Sequence, residues 1–342
     1  MERLHIAVLG PVNSGKSTLV NAICGQEVSL VSSVPGTTTD PVRKAVELPG
    51  LGPCVLIDTP GTDDDSLLGA ERQRLMEKVL DEADVAILLG DAPAPDGIPA
   101  VRYGGESVEV LLQRIREVLP EEADLFLTGK LVKAGDCVLL VMPQDAEAPK
   151  GRLILPQVQV LRELLDRGCT ALCCTPASLP DALKRVRPDL VITDSQVFSE
   201  VNAAIPPTCP LTSFSILLAG RKGDLSLFCE GAEAIGRLKD GDRVLIAEAC
   251  SHVPASEDIG RVKIPALLRR SFGDIQVDVA AGHDFPEDLS PYALIIHCGA
   301  CVANRRLVMS RIKKALRQGV PITNYGIALA YLKGILSRVS IP

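Results

Sequence analysis

Two things are scarce in this chain: positive charge and aromatic rings. The formal net charge is −7 and only 3% of residues are aromatic. A nucleic-acid binder relies on phosphate neutralisation and on flat side chains for stacking, so that class is disfavoured. No basic run suggests a membrane surface. Apolar stretches such as Val138–Met142 are far too short to span a bilayer. No signal peptide is expected either, because Met1-Glu-Arg-Leu-His5 runs straight into a strand and a glycine loop. These absences together predict a cytoplasmic protein. No internal repeat or low-complexity segment stands out. What is present is ordinary: 46% hydrophobic and 23% charged residues over 342 positions, enough for two or three domains with real cores.

Cysteine is the exception, with eleven residues. In a reducing compartment a disulfide framework is not expected, so burial or metal binding must account for them. Cys24, Cys54, Cys137, Cys169, Cys173, Cys174, Cys209 and Cys229 mostly sit in apolar runs and read as buried thiols. The adjacent Cys173 and Cys174 would face opposite ways on a strand, which is poor geometry for one metal. The remaining three fall in two short clusters with histidine, Cys250-Ser-His252 and His297-Cys298-Gly-Ala-Cys301.

The pattern divides the chain into three α/β blocks: 1–120, 124–207 and 210–342. In the first, strands His5–Leu9, Val55–Ile57 and Asp84–Leu89 alternate with helices from Lys16 to Cys24, around Ala70–Leu80 and over Ser107–Leu119. This argues for a parallel sheet covered on both faces. The second block offers strands Val138–Met142, Thr170–Cys174 and Leu190–Thr193, with helices between them. The third offers strands Ser215–Leu218, Arg243–Glu248, Gln276–Val279, Ala293–Ile296 and Val320–Thr323. Its helices are expected at Gly231–Leu238, Ile264–Ser271, Arg305–Arg317 and Ile327–Leu336. The fold class is therefore α/β in three domains.

Gly10-Pro-Val-Asn13-Ser14-Gly15-Lys16-Ser17-Thr18 fits a phosphate-binding loop, with a strand before it and a helix after. Glycines let backbone N–H groups wrap phosphates at a helix N-terminus, Lys16 neutralises the outer phosphates, and Ser17 offers a hydroxyl to Mg²⁺. Asp58-Thr-Pro-Gly61 ends a strand and reads as the element whose Asp58 holds Mg²⁺ through water and whose Gly61 N–H senses the terminal phosphate. Pro35-Gly-Thr37-Thr38-Thr39-Asp40 lies where a switch threonine belongs, with Thr38 as a second Mg²⁺ ligand. Lys16, Thr38, Asp58 and Gly61 are thus the candidate catalytic set. These motifs resemble the translation-factor-like GTPases, in particular the branch with an asparagine in the loop. That resemblance implies GTP/GDP as ligand and K⁺ bound through Asn13.

The chain departs from that pattern at one place. A GTPase reads guanine with Asn-Lys-x-Asp, and none of Asn13, Asn21, Asn202, Asn304 or Asn324 precedes a lysine. After Leu88-Leu-Gly-Asp-Ala92 the sequence passes through Pro93–Gly97 into Ile98-Pro-Ala-Val101, which resembles the strand normally found after the guanine-reading loop. One helix and one strand are missing between them.

In the last block, Cys250 and His297-Cys298 both follow strands, at the edge where open α/β sheets bind ligands. Cys301 falls on the turn into the helix over Arg305–Arg317, whose N-terminus favours thiolate. Three thiolates with one histidine or an open position suit either Zn²⁺ or a [4Fe–4S] cluster, and spacing alone does not choose.

The order of loop, small α/β block and Cys-x-His…His-Cys-x-x-Cys resembles the iron-only hydrogenase maturation GTPases, the HydF family. The likeness extends over Ala148–Gln157, Pro210–Ser215, Asp258–Pro265 and Pro321–Gly326. It implies that Cys250, Cys298 and Cys301 ligate a [4Fe–4S] cluster whose fourth iron is exchangeable or held by His252 or His297. It further implies a homodimer formed by the middle domain, and a scaffold role in which the 2Fe subcluster is completed and passed to apo FeFe hydrogenase. Radical-SAM hydrogenase maturases would supply it, and GTP would regulate partner association. Two rival expectations are a zinc-stabilised translation-factor-type NTPase and a cluster-binding module with a degenerate, non-hydrolysing first domain.

Overall fold

β1 (Leu4–Leu9) runs through the centre of the first sheet, with Ile6, Ala7 and Val8 fully buried. A computed structural model of the chain describes residues 3–25, 41–61, 69–120, 126–144, 151–249 and 258–342. It contains two compact units, Met1–Ala123 and Asp124–Pro342.

In the first unit β1 leads through the glycine loop into α1 (Lys16–Cys24). β2 (Val42–Leu48), β3 (Gly52–Asp58), α2 (Gly69–Glu82), β4 (Val85–Leu88), β5 (Ala100–Arg102) and α3 (Val108–Val118) follow. The strand order is β2-β3-β1-β4-β5, parallel except for β2. Successive side chains of a strand face opposite ways. Ile6 and Val8 accordingly join Leu19, Val20, Leu111 and Ile115 on one face, while Ala7 and Leu9 join Ile57, Val79 and Ala83 on the other. The expected parallel sheet is there, with an antiparallel edge strand that the sequence reading lacks. Its signal is Pro49-Gly50, a turn between two runs with Gly50 and Gly52 both at positive φ.

The passage from β4 to β5 is the unusual feature. Parallel neighbours ordinarily need a crossover of a dozen or more residues carrying a helix. Here residues 89–99 make the connection with no helix at all. The Arg102 guanidinium closes it, donating to the carbonyls of Gly90 and of Ala92 (2.9 Å). The sequence pattern places the absent helix and strand at this point, and the chain passes here directly from β4 to β5.

The second unit holds two four-stranded parallel sheets. β6 (Cys137–Val141), α4 (Leu155–Asp166), β7 (Thr170–Cys174), α5 (Leu179–Arg185), β8 (Leu190–Thr193), α6 (Phe198–Ala204) and β9 (Leu211–Ser213) build the first, in the order β7-β6-β8-β9. α7 (Phe214–Lys222) and α8 (Leu225–Ala232) lead to the second sheet. It comprises β10 (Arg243–Ala247), α9 (Ile264–Phe272), β11 (Gln276–Ala280), β12 (Leu294–His297), α10 (Arg305–Arg317), β13 (Ile322–Asn324) and α11 (Tyr325–Leu332), in the order β11-β10-β12-β13.

The two sheets are wound identically, which corrects the reading that no repeat exists. Gly135-Asp136 and Gly241-Asp242 open them, with Asp136 Oδ2 accepting from Lys133 N and Asp242 Oδ2 from Lys239 N. Pro210-Leu-Thr-Ser-Phe-Ser-Ile-Leu-Leu-Ala219 at the end of the first matches Pro321-Ile-Thr-Asn-Tyr-Gly-Ile-Ala-Leu-Ala330 at the end of the second.

The strand expected over Ser215–Leu218 is part of helix α7. Ser213 Oγ accepts from Ile216 N as its N-cap. Phe214, Leu217 and Leu218 pack with the core on one face of the first sheet, and Ile216 and Ala219 with the core that its other face shares with the second sheet. A helix covered on both sides is apolar all round, so the run shows no helical period. The break expected between 207 and 210 also falls inside a sheet: β9 pairs with β8, and Ser340 N donates to Leu211 O at 2.7 Å. The helix expected over Gly231–Leu238 begins earlier, capped by Asp224. Gly231 must be glycine, since a Cβ there would stand 1.9 Å from the Ile322 carbonyl oxygen.

Candidate functional site

The glycine loop sits between β1 and α1, with Asn13 (φ 59°) and Gly15 (φ 90°) both left-handed. Such a turn directs successive N–H groups inward, an anion nest. Lys16 is buried, and its Nζ donates to Gly10 O (2.9 Å) and Pro11 O (2.7 Å), carbonyls of the loop itself. Ser14 Oγ donates to Pro11 O at 2.8 Å, while Asn13 and Thr18 are exposed.

Ser17 Oγ donates to Asp58 Oδ2 at 2.7 Å. Asp58 is buried, and its Oδ1 has no hydrogen-bond partner among the described residues. A buried carboxylate oxygen left bare beside a loop hydroxyl fits a hard divalent cation such as Mg²⁺, which takes oxygen ligands. Gly61 lies against the loop so closely that a Cβ would come within 2.2 Å of Val12 Cγ2 and 2.8 Å of Val12 N. The sequence therefore brings Lys16, Ser17, Asp58 and Gly61 together. Thr38 lies outside the described residues.

At the other site, Cys298 leaves the C-terminal end of β12. Its Sγ accepts from Ala249 N (3.1 Å) and Ala300 N (3.3 Å). The second bond depends on Ala300 at φ 51°, a left-handed residue that folds the loop back onto the sulfur. Burial holds the thiol above its ordinary range, outweighing the two N–H groups and Arg311, which pull it down. Cys301 lies on the same turn, before Asn304 caps α10 by accepting from Leu307 N at 3.2 Å. Among the described residues no group of three or more metal-type side chains gathers. Cys250 and His252 lie outside the described residues, although Ala249, bonded to Cys298, directly precedes Cys250.

His297 is fully buried. Its Nε2 is 3.1 Å from Arg311 Nη1 and its Nδ1 is 2.8 Å from Cys298 O. Arginine can only donate, so Nε2 accepts and Nδ1 carries the proton. Burial, then Arg311, brings its pKa down to about 3. Both ring nitrogens are engaged inside the protein, and neither is offered to a metal in this arrangement.

Two buried cations that sequence reasoning missed support the loop. Lys222 Nζ donates to Ala300 O (2.5 Å), Cys301 O (3.3 Å) and Ala303 O (2.5 Å). Arg311 donates to Glu248 O (3.2 Å) and Gly282 O as well as to His297. Both sit in charged runs that read as solvated surface, and no local signal marks them. Thiolates that receive N–H bonds, with buried cations close by, suit an anionic iron–sulfur cluster.

Comparison with known proteins gives three family matches along the chain. Residues 5–127 match a 50S ribosome-binding GTPase, residues 127–223 the hydrogen maturase F dimerization domain, and residues 226–342 the hydrogen maturase F tetramerization domain. Curated relatives include the tRNA modification GTPase MnmE of Acidiphilium cryptum, 44% identical over 108 residues, covering 30% of this chain and 25% of that protein. The MnmE of Laribacter hongkongensis is 34% identical over 139 residues, covering 40% and 28%. The chain thus spans about a quarter of the length of these relatives. Among solved structures, Aquifex aeolicus Era bound to GDP and AlF4⁻ aligns with 16% identity and a TM-score of 0.27, over 89% of this chain and 99% of that one. The bacterial selenocysteine-specific elongation factor EF-Sec aligns with 15% identity and a TM-score of 0.21, over 55% and 30%. A GTPase domain followed by both hydrogen maturase F domains accounts for nearly the whole length, and the chain belongs to the HydF family of hydrogenase maturation GTPases.

Proposed function

We propose that this protein is a scaffold and carrier for the 2Fe subcluster of FeFe hydrogenase. Cys250, Cys298 and Cys301 hold a [4Fe–4S] cluster, and the 2Fe cargo is completed beside it and passed to apo-hydrogenase. Radical-SAM maturases supply the cargo in the cytoplasm. The observation that carries this reading is the Cys298 sulfur, which already accepts two backbone N–H bonds at the carboxyl edge of a parallel sheet. That bonding favours thiolate, the form that ligates iron. Three cysteines leave one iron without a protein thiolate, as a carrier that must accept and release a ligand requires. His252 remains a candidate for that position, whereas His297 is better suited to orienting the loop.

The first domain acts as a nucleotide switch on partner association. GTP/GDP sits on the loop from Gly10 to Thr18, Mg²⁺ is held by Ser17, Thr38 and Asp58, and Asn13 contributes to a K⁺ site. The helix-free link from β4 to β5 favours a second reading for this domain, a degenerate G domain that binds without efficient hydrolysis.

Self-association fits the match of residues 127–223 to a dimerization domain. The edge strand β7 presents Leu172 and Cys173 to solvent, and α4 presents Leu155, Val158 and Leu165 nearby in sequence. An exposed apolar edge invites pairing with a second copy.

The carrier role is tested by incubating cargo-loaded, repurified protein with apo-hydrogenase. Hydrogen evolution should appear in proportion to the loaded protein added. Loaded protein that never activates the hydrogenase would contradict the role.

A further inference from the structure

Tyr325 opens α11, directly after Asn324, the residue in register with His297 across β12 and β13. Cys298 and Tyr325 therefore leave neighbouring strand ends side by side. Asn324 ties them together: its Nδ2 donates to Cys298 O at 3.3 Å, and its Oδ1 caps the helix at Gly326 N.

The Tyr325 hydroxyl is sealed from solvent and has no hydrogen-bond partner among the described residues. It lies against Gly260, where a Cβ would stand 1.9 Å from the oxygen, so the glycine makes room for it. The carboxylates around it are otherwise engaged. Asp258 caps Arg261 N, and Glu248 takes the Arg261 guanidinium at 3.1 and 2.7 Å. A phenol keeps its proton at neutral pH, so the hydroxyl is available as a donor.

The duplicated sheet supplies an internal control. At the matching position of the first sheet stands Phe214, likewise at the head of a helix, its ring fully buried where that of Tyr325 is half-buried. Packing at this point of the repeat is satisfied by a phenyl ring. The hydroxyl is an addition confined to the half that carries Cys298 and Cys301, and a buried donor without a partner is destabilising unless something else satisfies it.

We propose that the Tyr325 hydroxyl donates a hydrogen bond to the iron–sulfur assembly held by Cys298, either to an inorganic sulfide or to an anion bound at the iron that lacks a cysteine. Tyr325 is thus a positioning residue for what the cluster carries. This inference rests on the cluster reading above. A hydrogen bond to sulfide stabilises the reduced, more negative cluster, and one to an iron-bound anion tightens its retention.

The test compares the full-length wild type with Tyr325→Phe, both reconstituted anaerobically and matched for iron content. Two readouts are taken: the potential for one-electron reduction of the cluster by dithionite, and the affinity for azide followed through its infrared stretch. If the acceptor is sulfide, the reduced-to-oxidised ratio at fixed potential falls about tenfold in the variant, ~59 mV. If the acceptor is the iron-bound anion, azide binding weakens about tenfold and its stretch shifts. A third readout has opposite signs in the two forms: without cluster the variant should be at least as stable as wild type, and with cluster it should be less stable. Matched potentials and matched azide binding in loaded proteins would overturn the inference alone. A wild type that takes up no cluster would overturn the cluster reading and this inference with it.

Discussion

The Arg311 guanidinium donates to Nε2 of His297, so this histidine spends its one free lone pair inside the protein. His297→Gln can reproduce both bonds, with an amide oxygen facing Arg311 and an amide N–H facing the Cys298 carbonyl. It should retain full iron stoichiometry after reconstitution. His297→Ala should retain less, because the loop loses its anchor and Arg311 loses an acceptor. Equal loss of iron in both variants would mean that the imidazole itself is a ligand.

Lys222 holds three carbonyls of the turn that carries Cys301. Lys222→Met keeps the bulk and removes the charge, leaving those carbonyls without their donor. Urea denaturation should show a loss of about 2–4 kcal/mol, with cluster uptake reduced in parallel.

At the nucleotide site, Gly61→Ala sets a methyl group against Val12. Overpacking there should destabilise the first unit by about 1–3 kcal/mol and abolish Mg²⁺-dependent nucleotide binding. Ser17→Ala should lose the Mg²⁺ dependence while the fold is kept, as seen by circular dichroism and calorimetric titration.

Base selectivity should be weak. The Asn-Lys-x-Asp reader is absent from the sequence, and Arg102 ties the β4–β5 link to itself. Strong rejection of a wrong base needs site groups that go unpaired when it binds. GTP and ATP affinities should therefore lie within about tenfold of each other. A much larger preference for GTP would show that another segment reads guanine.

Thiol chemistry should separate the cysteines. Burial, then Glu47 and Asp84, pushes the Cys54 thiol up to about 11, whereas Cys173 is exposed. At pH 8 only about one Cys54 in a thousand is thiolate, so iodoacetamide should label Cys173 first and Cys54 only on unfolding. Because the folded value lies above the unfolded one, the stabilising contribution is complete below about pH 8.5 and is lost as pH rises towards 11. Cys54→Ala should lessen the fall in stability over that window.

The phosphate loop was legible because its chemistry is contiguous: glycines, Lys16 and Ser17 occupy one turn between a strand and a helix. The α/β alternation was legible for the same local reason. Helix α7 was not, since its all-round apolar surface has no period to read. The repeat escaped because its strongest pairing, Pro210–Ala219 with Pro321–Ala330, differs at half its positions. Lys222, Arg311 and Tyr325 reach Cys298 and Cys301 only through strand register and helix packing, which no spacing rule reveals.

One measurement addresses the cysteine ligands directly. Iron, sulfide and zinc are quantified, with electron paramagnetic resonance after dithionite, on anaerobically reconstituted wild type and on Cys250→Ala, Cys298→Ser and Cys301→Ser. The expected result is about four iron and four sulfide per wild-type chain, with a reduced-cluster signal lost or strongly diminished in each variant. A colourless wild type with stoichiometric zinc, or a cluster signal untouched by Cys298→Ser, would contradict it.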